Sequence, residues 1–301
     1  MKGMTDMHMS MHNWMRSEPI EVTVARLARF GYKSIEIKGE PDQYDTKDVR
    51  ALLESYGLKC WGAVTLTLAE RNLCAKDTKQ RAASVDYMKS VVTMVKELEG
   101  TEITIVPSTV GKIVPDGTPD EEWTWAVEGL KEIHEHATKA GVVIAIEPLN
   151  RFETHFITRG DQALALADAV APDVGVCLDC FHMNIEEVDL LETIRTIGPR
   201  LNDFHLADNN RMACGMGSLD WPAIVGALRD INYDGALTVE FVAPVDRTPA
   251  NKYPDAVETA PVNISPEELQ FIIDHGSSLL SEEFYGMLVE KCATTILPLI
   301  Q

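Results

Sequence analysis

Cysteine is sparse in this 301-residue chain: six residues, at positions 60, 74, 177, 180, 214 and 292. They are too few and too scattered for the disulfide framework of a small secreted domain. The one C-x-x-C, Cys177 to Cys180, has no second such pair to complete a zinc site. Its strand-like setting predicts two small core residues facing opposite ways. No run of Lys or Arg exceeds two residues, and 27 basic against 47 acidic residues give a net charge of −20. That balance argues against a nucleic-acid partner, which needs a clustered basic footprint. Apolar runs such as residues 141–146 fall far short of the ~20 residues of a membrane span. The Met- and His-rich start, residues 1–14, lacks the apolar segment of a secretory signal, so a cytoplasmic protein is expected. The first strand–helix joint has no G-x-G-x-x-G, which removes the main support for a dinucleotide fold.

What is present is a rhythm. Strand-like runs fall at residues 7–13, 34–37, 59–66, 102–106, 142–147, 174–179, 201–206 and 236–241. Helical patterns lie between them at 19–30, 46–56, 78–99, 119–140, 160–170, 190–197 and 221–231, with Gly31, Gly57, Gly100, Gly141 and Pro172 at the joints. Eight strands alternating with helices predict an α/β fold, a (β/α)₈ barrel rather than an open doubly wound sheet. One barrel domain over residues 1–301 is expected. It carries an insertion at about 243–280, marked by Pro244, Pro249, Pro254, Pro261 and Pro266. Within it a helical stretch is expected near 266–275, and a last helix at about 281–298. An insertion after the eighth strand emerges at the catalytic mouth, as a lid, a specificity loop or a subunit contact.

Catalytic side chains of such barrels come from the C-terminal ends of strands. Four successive strands here end in Glu147, Asp179, His205 and Glu240, each after an apolar run. Buried together without a cation, three carboxylates and an imidazole would cost several kcal/mol. The O₃N set suits a hard or borderline divalent ion: Mn²⁺ first, with Mg²⁺ or Co²⁺ as alternatives. Further polar residues follow on the strand–helix loops. Glu153, His182 and Arg211 read as substrate contacts, whereas His155, Asn184 and Asn209 read as solvated loop residues. His8, His12 and Trp14 carry little weight at this level.

These residues also carry a resemblance. Val176-Cys-Leu-Asp-Cys-Phe-His-Met-Asn-Ile-Glu-Glu187 and Glu147-Pro-Leu-Asn-Arg-Phe-Glu-Thr-His155 closely resemble the sixth- and fifth-strand motifs of the ketose 3-epimerases of the D-tagatose and D-psicose types. The run 205–211 with Gly215-Met-Gly217 and Trp221 resembles their seventh-strand region. The resemblance is specific over residues 140–242 and looser over the N-terminal half, as a xylose-isomerase-like TIM barrel. It implies Glu147, Asp179, His205 and Glu240 as metal ligands, with Glu147 and Glu240 doubling as the acid/base pair. It also implies Glu153, His182 and Arg211 as contacts to sugar oxygens.

The implied chemistry is proton abstraction next to a carbonyl through a cis-enediolate. The chain departs from the family pattern at 207–211, at 214–217, at Phe241-Val242 and in the insertion, so the sugar stays open. A lyase on 3-oxo-glycosides, of the C-glycoside deglycosidase large-subunit or inosose dehydratase type, resembles the same barrel and is the alternative. The expected partners are a keto-sugar or oxo-glycoside and further copies of the chain, with a small accessory subunit under the lyase reading.

Overall fold

The computed structural model describes residues 7–246, 248–256 and 279–301. Eight parallel strands form one sheet: β1 (His8–Met11), β2 (Ser34–Lys38), β3 (Lys59–Val64), β4 (Glu102–Ile105), β5 (Val143–Ile146), β6 (Gly175–Asp179), β7 (Leu201–Leu206) and β8 (Ala236–Val239). Their order is β1-β8-β7-β6-β5-β4-β3-β2. The ring closes between β1 and β2 through a bridge from His12 to Glu36 and a hydrogen bond from Lys33 N–H to the Met9 carbonyl at 2.9 Å. The expected (β/α)₈ barrel is therefore the observed fold.

The surrounding helices are α1 (Ile20–Arg29), α2 (Thr46–Ser55), α3 (Thr78–Glu97), α4 (Pro119–Ala140), α5 (Gly160–Val170), α6 (Cys180–Glu186), α7 (Leu190–Ile197), α8 (Trp221–Asp230) and α9 (Glu282–Ile300). Local chemistry sets their ends. Thr118 and Glu121 form a reciprocal capping box ahead of α4, and Gly141 ends that helix in the left-handed conformation at φ 75°. Asp45, Asp77, Asp189 and Asp220 cap α2, α3, α7 and α8 through their carboxylates. The last helix runs two residues past the expected end at Pro298 and packs on α8 and β1. No helix among the described residues is long and apolar enough to cross a membrane.

Alternation along each strand sends Met9, Met11, Ile35, Ile37, Ile103 and Ile105 outward under the helices, all fully or almost fully buried. The opposite face fills the barrel with Ser10, Glu36, Thr104, Cys177, Asp203 and Thr238, also buried. Branched aliphatic side chains ordinarily dominate such an interior; here it is polar.

Two expectations need correction. A short helix, α6, starts directly after β6, because Asp179 accepts the N–H groups of Phe181 (2.5 Å) and His182 (3.2 Å) and caps it. Cys180 is accordingly the first residue of a helix, not part of a strand, although both cysteines of the C-x-x-C are buried as expected. His155 is not a solvated loop residue. Its Nε2 lies 3.0 Å from the Glu122 carboxylate and its Nδ1 3.0 Å from the Lys112 carbonyl, which clamps the β4–α4 and β5–α5 loops together. The helix expected at 266–275, and most of the insertion, lie outside the described residues.

Candidate metal centre

The four strand-end residues converge. Glu147 and Glu240 stand one position beyond β5 and β8, yet their N–H groups continue the ladder to the Ile105 (3.0 Å) and Leu206 (2.9 Å) carbonyls. Both side chains are thereby held in strand register, pointing inward with Asp179 and His205. One donor atom from each of Glu147, Asp179, His205 and Glu240 lies within 4.8 Å of all the others, and all four residues are buried. His205 Nδ1 stands 2.7 Å from a Glu240 oxygen and 3.3 Å from Glu147 Oε1. Despite those distances, His205 Nδ1, Glu147 Oε1 and Asp179 Oδ2 have no aligned hydrogen-bond partner. Buried polar atoms are rarely left so, because each orphan costs about 1–3 kcal/mol. Three orphaned donors facing one another, with oxygen and imidazole chemistry, fit a divalent cation.

The electrostatics agree. Burial pushes the Asp179 carboxyl up to about 7, helped by the neighbouring Glu240 charge. Glu147 is also raised, by burial and then Glu240, against the opposing pull of His205. Burial acts the same way on Glu240 but is outweighed by His12 and His205, which hold it well below the usual carboxylate range.

Glu153, His182 and Arg211 gather on one side of this centre. Glu153 Oε1 accepts from Asn150 Nδ2 at 2.8 Å and from Arg211 Nη1 at 2.9 Å, and Arg211 Nη2 reaches to 3.5 Å from Glu240. His182 Nδ1 accepts from the Asn150 backbone (3.2 Å) and side chain (2.8 Å), so the ring proton resides on Nε2. Burial and the Arg211 charge lower the His182 pKa to about 4, which keeps that ring neutral.

The Arg211 backbone is in the left-handed region at φ 58°, an uncommon conformation for a residue with a side chain. Asp208 holds the loop there, accepting from the N–H groups of Asn209, Gly215 and Leu219 and from Trp221 Nε1. Gly217 is required by the same packing, since a Cβ there would lie 2.2 Å from Asp208 Oδ1.

Sequence reasoning missed the layer beneath. Glu36 Oε2 lies 3.2 Å from both His12 Nδ1 and His205 Nε2, and His12 Nε2 is 3.1 Å from Glu240. The His12 and His205 rings meet edge to face at 4.6 Å. Asp203 stands 3.3 Å from His205 Nε2 and accepts from the Thr238 hydroxyl. Glu102 lies among these groups, and burial followed by the Asp203 and Glu36 charges raises its carboxyl well above the ordinary range. A signal existed: Glu36 alternates with Ile35 and Ile37, an acid in the middle of a buried strand.

Residues 24–271 match the sequence profile of the family described as xylose isomerase-like TIM barrel, and the chain belongs to that family. Relatives that it matches include ketose 3-epimerases. It is 32% identical over 227 residues to a D-psicose 3-epimerase of Enterocloster bolteae, covering 71% of this chain and 74% of that one. It is 31% identical over 236 residues to the Agrobacterium fabrum D-psicose 3-epimerase, covering 76% and 81%. A 3-dehydro-D-guloside 4-epimerase of Escherichia coli is 27% identical over 77% of this chain and 90% of its own. In fold, the crystal structure of D-psicose 3-epimerase from Clostridium cellulolyticum H10 superposes with a TM-score of 0.80 at 21% identity, over 98% of this chain and 99% of the other.

Proposed function

We propose that this protein is a divalent-metal-dependent epimerase of a keto-sugar, in which Glu147 and Glu240 exchange the proton on the carbon next to the carbonyl. The convergence of the orphaned donors of Glu147, Asp179 and His205 with Glu240 carries this reading. These four residues hold the cation, with Mn²⁺ favoured over Mg²⁺ and Co²⁺. When bound, it supplies Lewis acidity toward the substrate carbonyl.

The protein groups do the rest. Glu147 and Glu240 enter from strands three places apart around the ring, which suits proton removal on one face of the sugar and return on the other. Neutral His182 offers Nε2–H to a sugar oxygen. Arg211, fixed by Glu153, offers its guanidinium to the oxygen that gains negative charge.

Proton NMR of ketohexoses incubated in D₂O with Mn²⁺-loaded protein tests the reading. Deuterium at C3 together with a new epimer is expected. Glu147→Gln and Glu240→Gln each lower exchange about 10²–10⁴-fold, the usual contribution of a positioned acid or base. Undiminished exchange in either variant sinks the assignment of that residue. Release of the aglycone from a 3-oxo-glucoside, with ketohexoses untouched, moves the protein to the lyases.

A further inference from the structure

Glu147 and Glu240 are not held alike. Glu147 Oε1 is buried without a hydrogen-bond partner. Glu240 Oε2 is hydrogen-bonded to His12 Nε2 at 3.1 Å and lies 2.7 Å from His205 Nδ1. A carboxylate only accepts, so His12 is the donor. The other Glu240 oxygen, Oε1, is left on the side of Arg211, whose Nη2 stands 3.5 Å away. One oxygen is thus turned to the histidines and one toward the candidate sugar contacts.

His12 owes its place to ring closure. It stands one position beyond β1, yet its N–H reaches the Val239 carbonyl at 3.3 Å and its backbone bridges to Glu36. Because β1 pairs with β8, the two strand ends set His12 beside Glu240 across 228 positions of chain. The buried ring is hemmed in: Nδ1 lies 3.2 Å from Glu36 Oε2, and the His205 and Trp14 rings stand 4.6 Å and 5.8 Å away. Asn13 ties down the backbone that follows, accepting from Lys38 N–H at 2.7 Å and donating to the Tyr44 hydroxyl at 2.9 Å. A donor locked in this way fixes the group it bonds.

We infer that His12 is the positioning residue for Glu240: by pinning Oε2 it aims Oε1 at the carbon whose proton is exchanged. The inference rests on the epimerase reading above and deepens it, because it makes the two faces of the sugar unequal. Loss of His12 impairs proton transfer on the face that Glu240 serves and spares the face that Glu147 serves. A misplacement of about 1 Å is enough to cost about 10²-fold.

The test starts separately from each member of two C3-epimeric pairs, D-psicose with D-fructose and D-tagatose with D-sorbose, in D₂O. Rates are compared at Mn²⁺ saturation, established for each variant by chelator competition. In His12→Phe, conversion is expected to fall about 10- to 100-fold. The equilibrium constant obliges conversion to fall equally in both directions, so the deciding quantity is deuterium in the recovered starting sugar. From the epimer that Glu147 deprotonates, the enediolate outlives exchange of the Glu147 proton with solvent, and deuterium enters the unconverted sugar. From the other epimer it does not. His12→Gln, whose amide replaces the Nε2 donor, restores most of the conversion. Should His12→Phe fail to fold, His12→Asn, too short to reach Glu240, takes its place. In the cation-free protein, ¹H–¹⁵N NMR of the histidine rings is expected to show a His12 Nε2–H that exchanges slowly with solvent and shifts in Glu240→Gln. Parallel loss of deuterium incorporation from both epimers, no gain from Gln over Phe, or a His12 Nε2 without a proton overturns the positioning role and leaves the epimerase reading intact. Wild type that exchanges none of the four sugars overturns both.

Discussion

Replacing Asp179 by Asn separates a cation site from a merely polar pocket. The Asp179 carboxylate has two distinct oxygens: Oδ1 caps α6, while Oδ2 is buried without a partner beside Glu147, His205 and Glu240. Asn keeps the shape and the Oδ1 acceptor but removes one negative charge. The EDTA-treated variant should then be as stable as wild type or slightly more so, because like charges in low dielectric are relieved. Its response to metal should disappear. For wild type, Mn²⁺ at a hundred times its Kd adds about 2.7 kcal/mol to the unfolding free energy. An unfolding entropy of about 2.1 cal/mol/K per residue over 301 residues comes to about 0.6 kcal/mol/K, so the midpoint should rise by about 4 °C. Thermal unfolding followed by circular dichroism, with EDTA and with Mn²⁺, measures both effects. A full Mn²⁺ shift in Asp179→Asn would place the cation elsewhere and refute the assignment. A variant already several degrees less stable in EDTA would make Asp179 a structural cap and no more.

Three further outcomes follow from named contacts. Glu36→Gln, which loosens the support of His12 and of the His205 ring at Nε2, the nitrogen away from the other three donors, should weaken Mn²⁺ binding about 10- to 100-fold in a chelator competition; unchanged affinity would make Glu36 a filler of the barrel. His182 titrates at about 4 in the fold against 6.5 when exposed, so the unfolded chain binds more protons in that window. Stability is complete above about pH 6.5 and falls by about 3 kcal/mol on going down to pH 4; in His182→Asn, urea midpoints should lose that part of the pH slope. Gly217→Ala should cost about 1–3 kcal/mol, since the Asp208 carboxylate it strikes is fixed by the surrounding N–H donors; kcat/KM should fall with it, because the same loop presents Arg211.

The barrel was legible because its signals are local and repeated: apolar runs of strand length, helices with caps, and glycine or proline between them. The candidate centre was legible for a related reason. Glu147, Asp179, His205 and Glu240 each end an apolar run, so the same reading that finds a strand finds its last inward residue. The short α6 escaped because a residue that ends one strand, faces the candidate centre and caps a helix at once leaves a single letter in the sequence. Asp179 does all three.

The polar layer beneath was hidden for a deeper reason. Alternation along β1 or β2 shows that one face differs from the other, but it does not say which face the ring will enclose. The outward residues Met9, Met11, Ile35 and Ile37 are as buried as the inward ones. Only closure of β1 on both β2 and β8 brings His12 to Glu240 and Glu36 to His205, across 228 and 169 positions of chain. The same closure explains why a barrel tolerates Glu36, Glu102 and Asp203 in its interior. Left unpartnered, three buried carboxyls would cost more than a hydrophobic filling. Here Glu36 and Asp203 lie at His205 Nε2, Glu102 is driven toward its neutral form, and His12 links Glu36 to Glu240. The layer orients His205 so that Nδ1 faces the other three donors, and it trades core stability for a fixed geometry at the mouth.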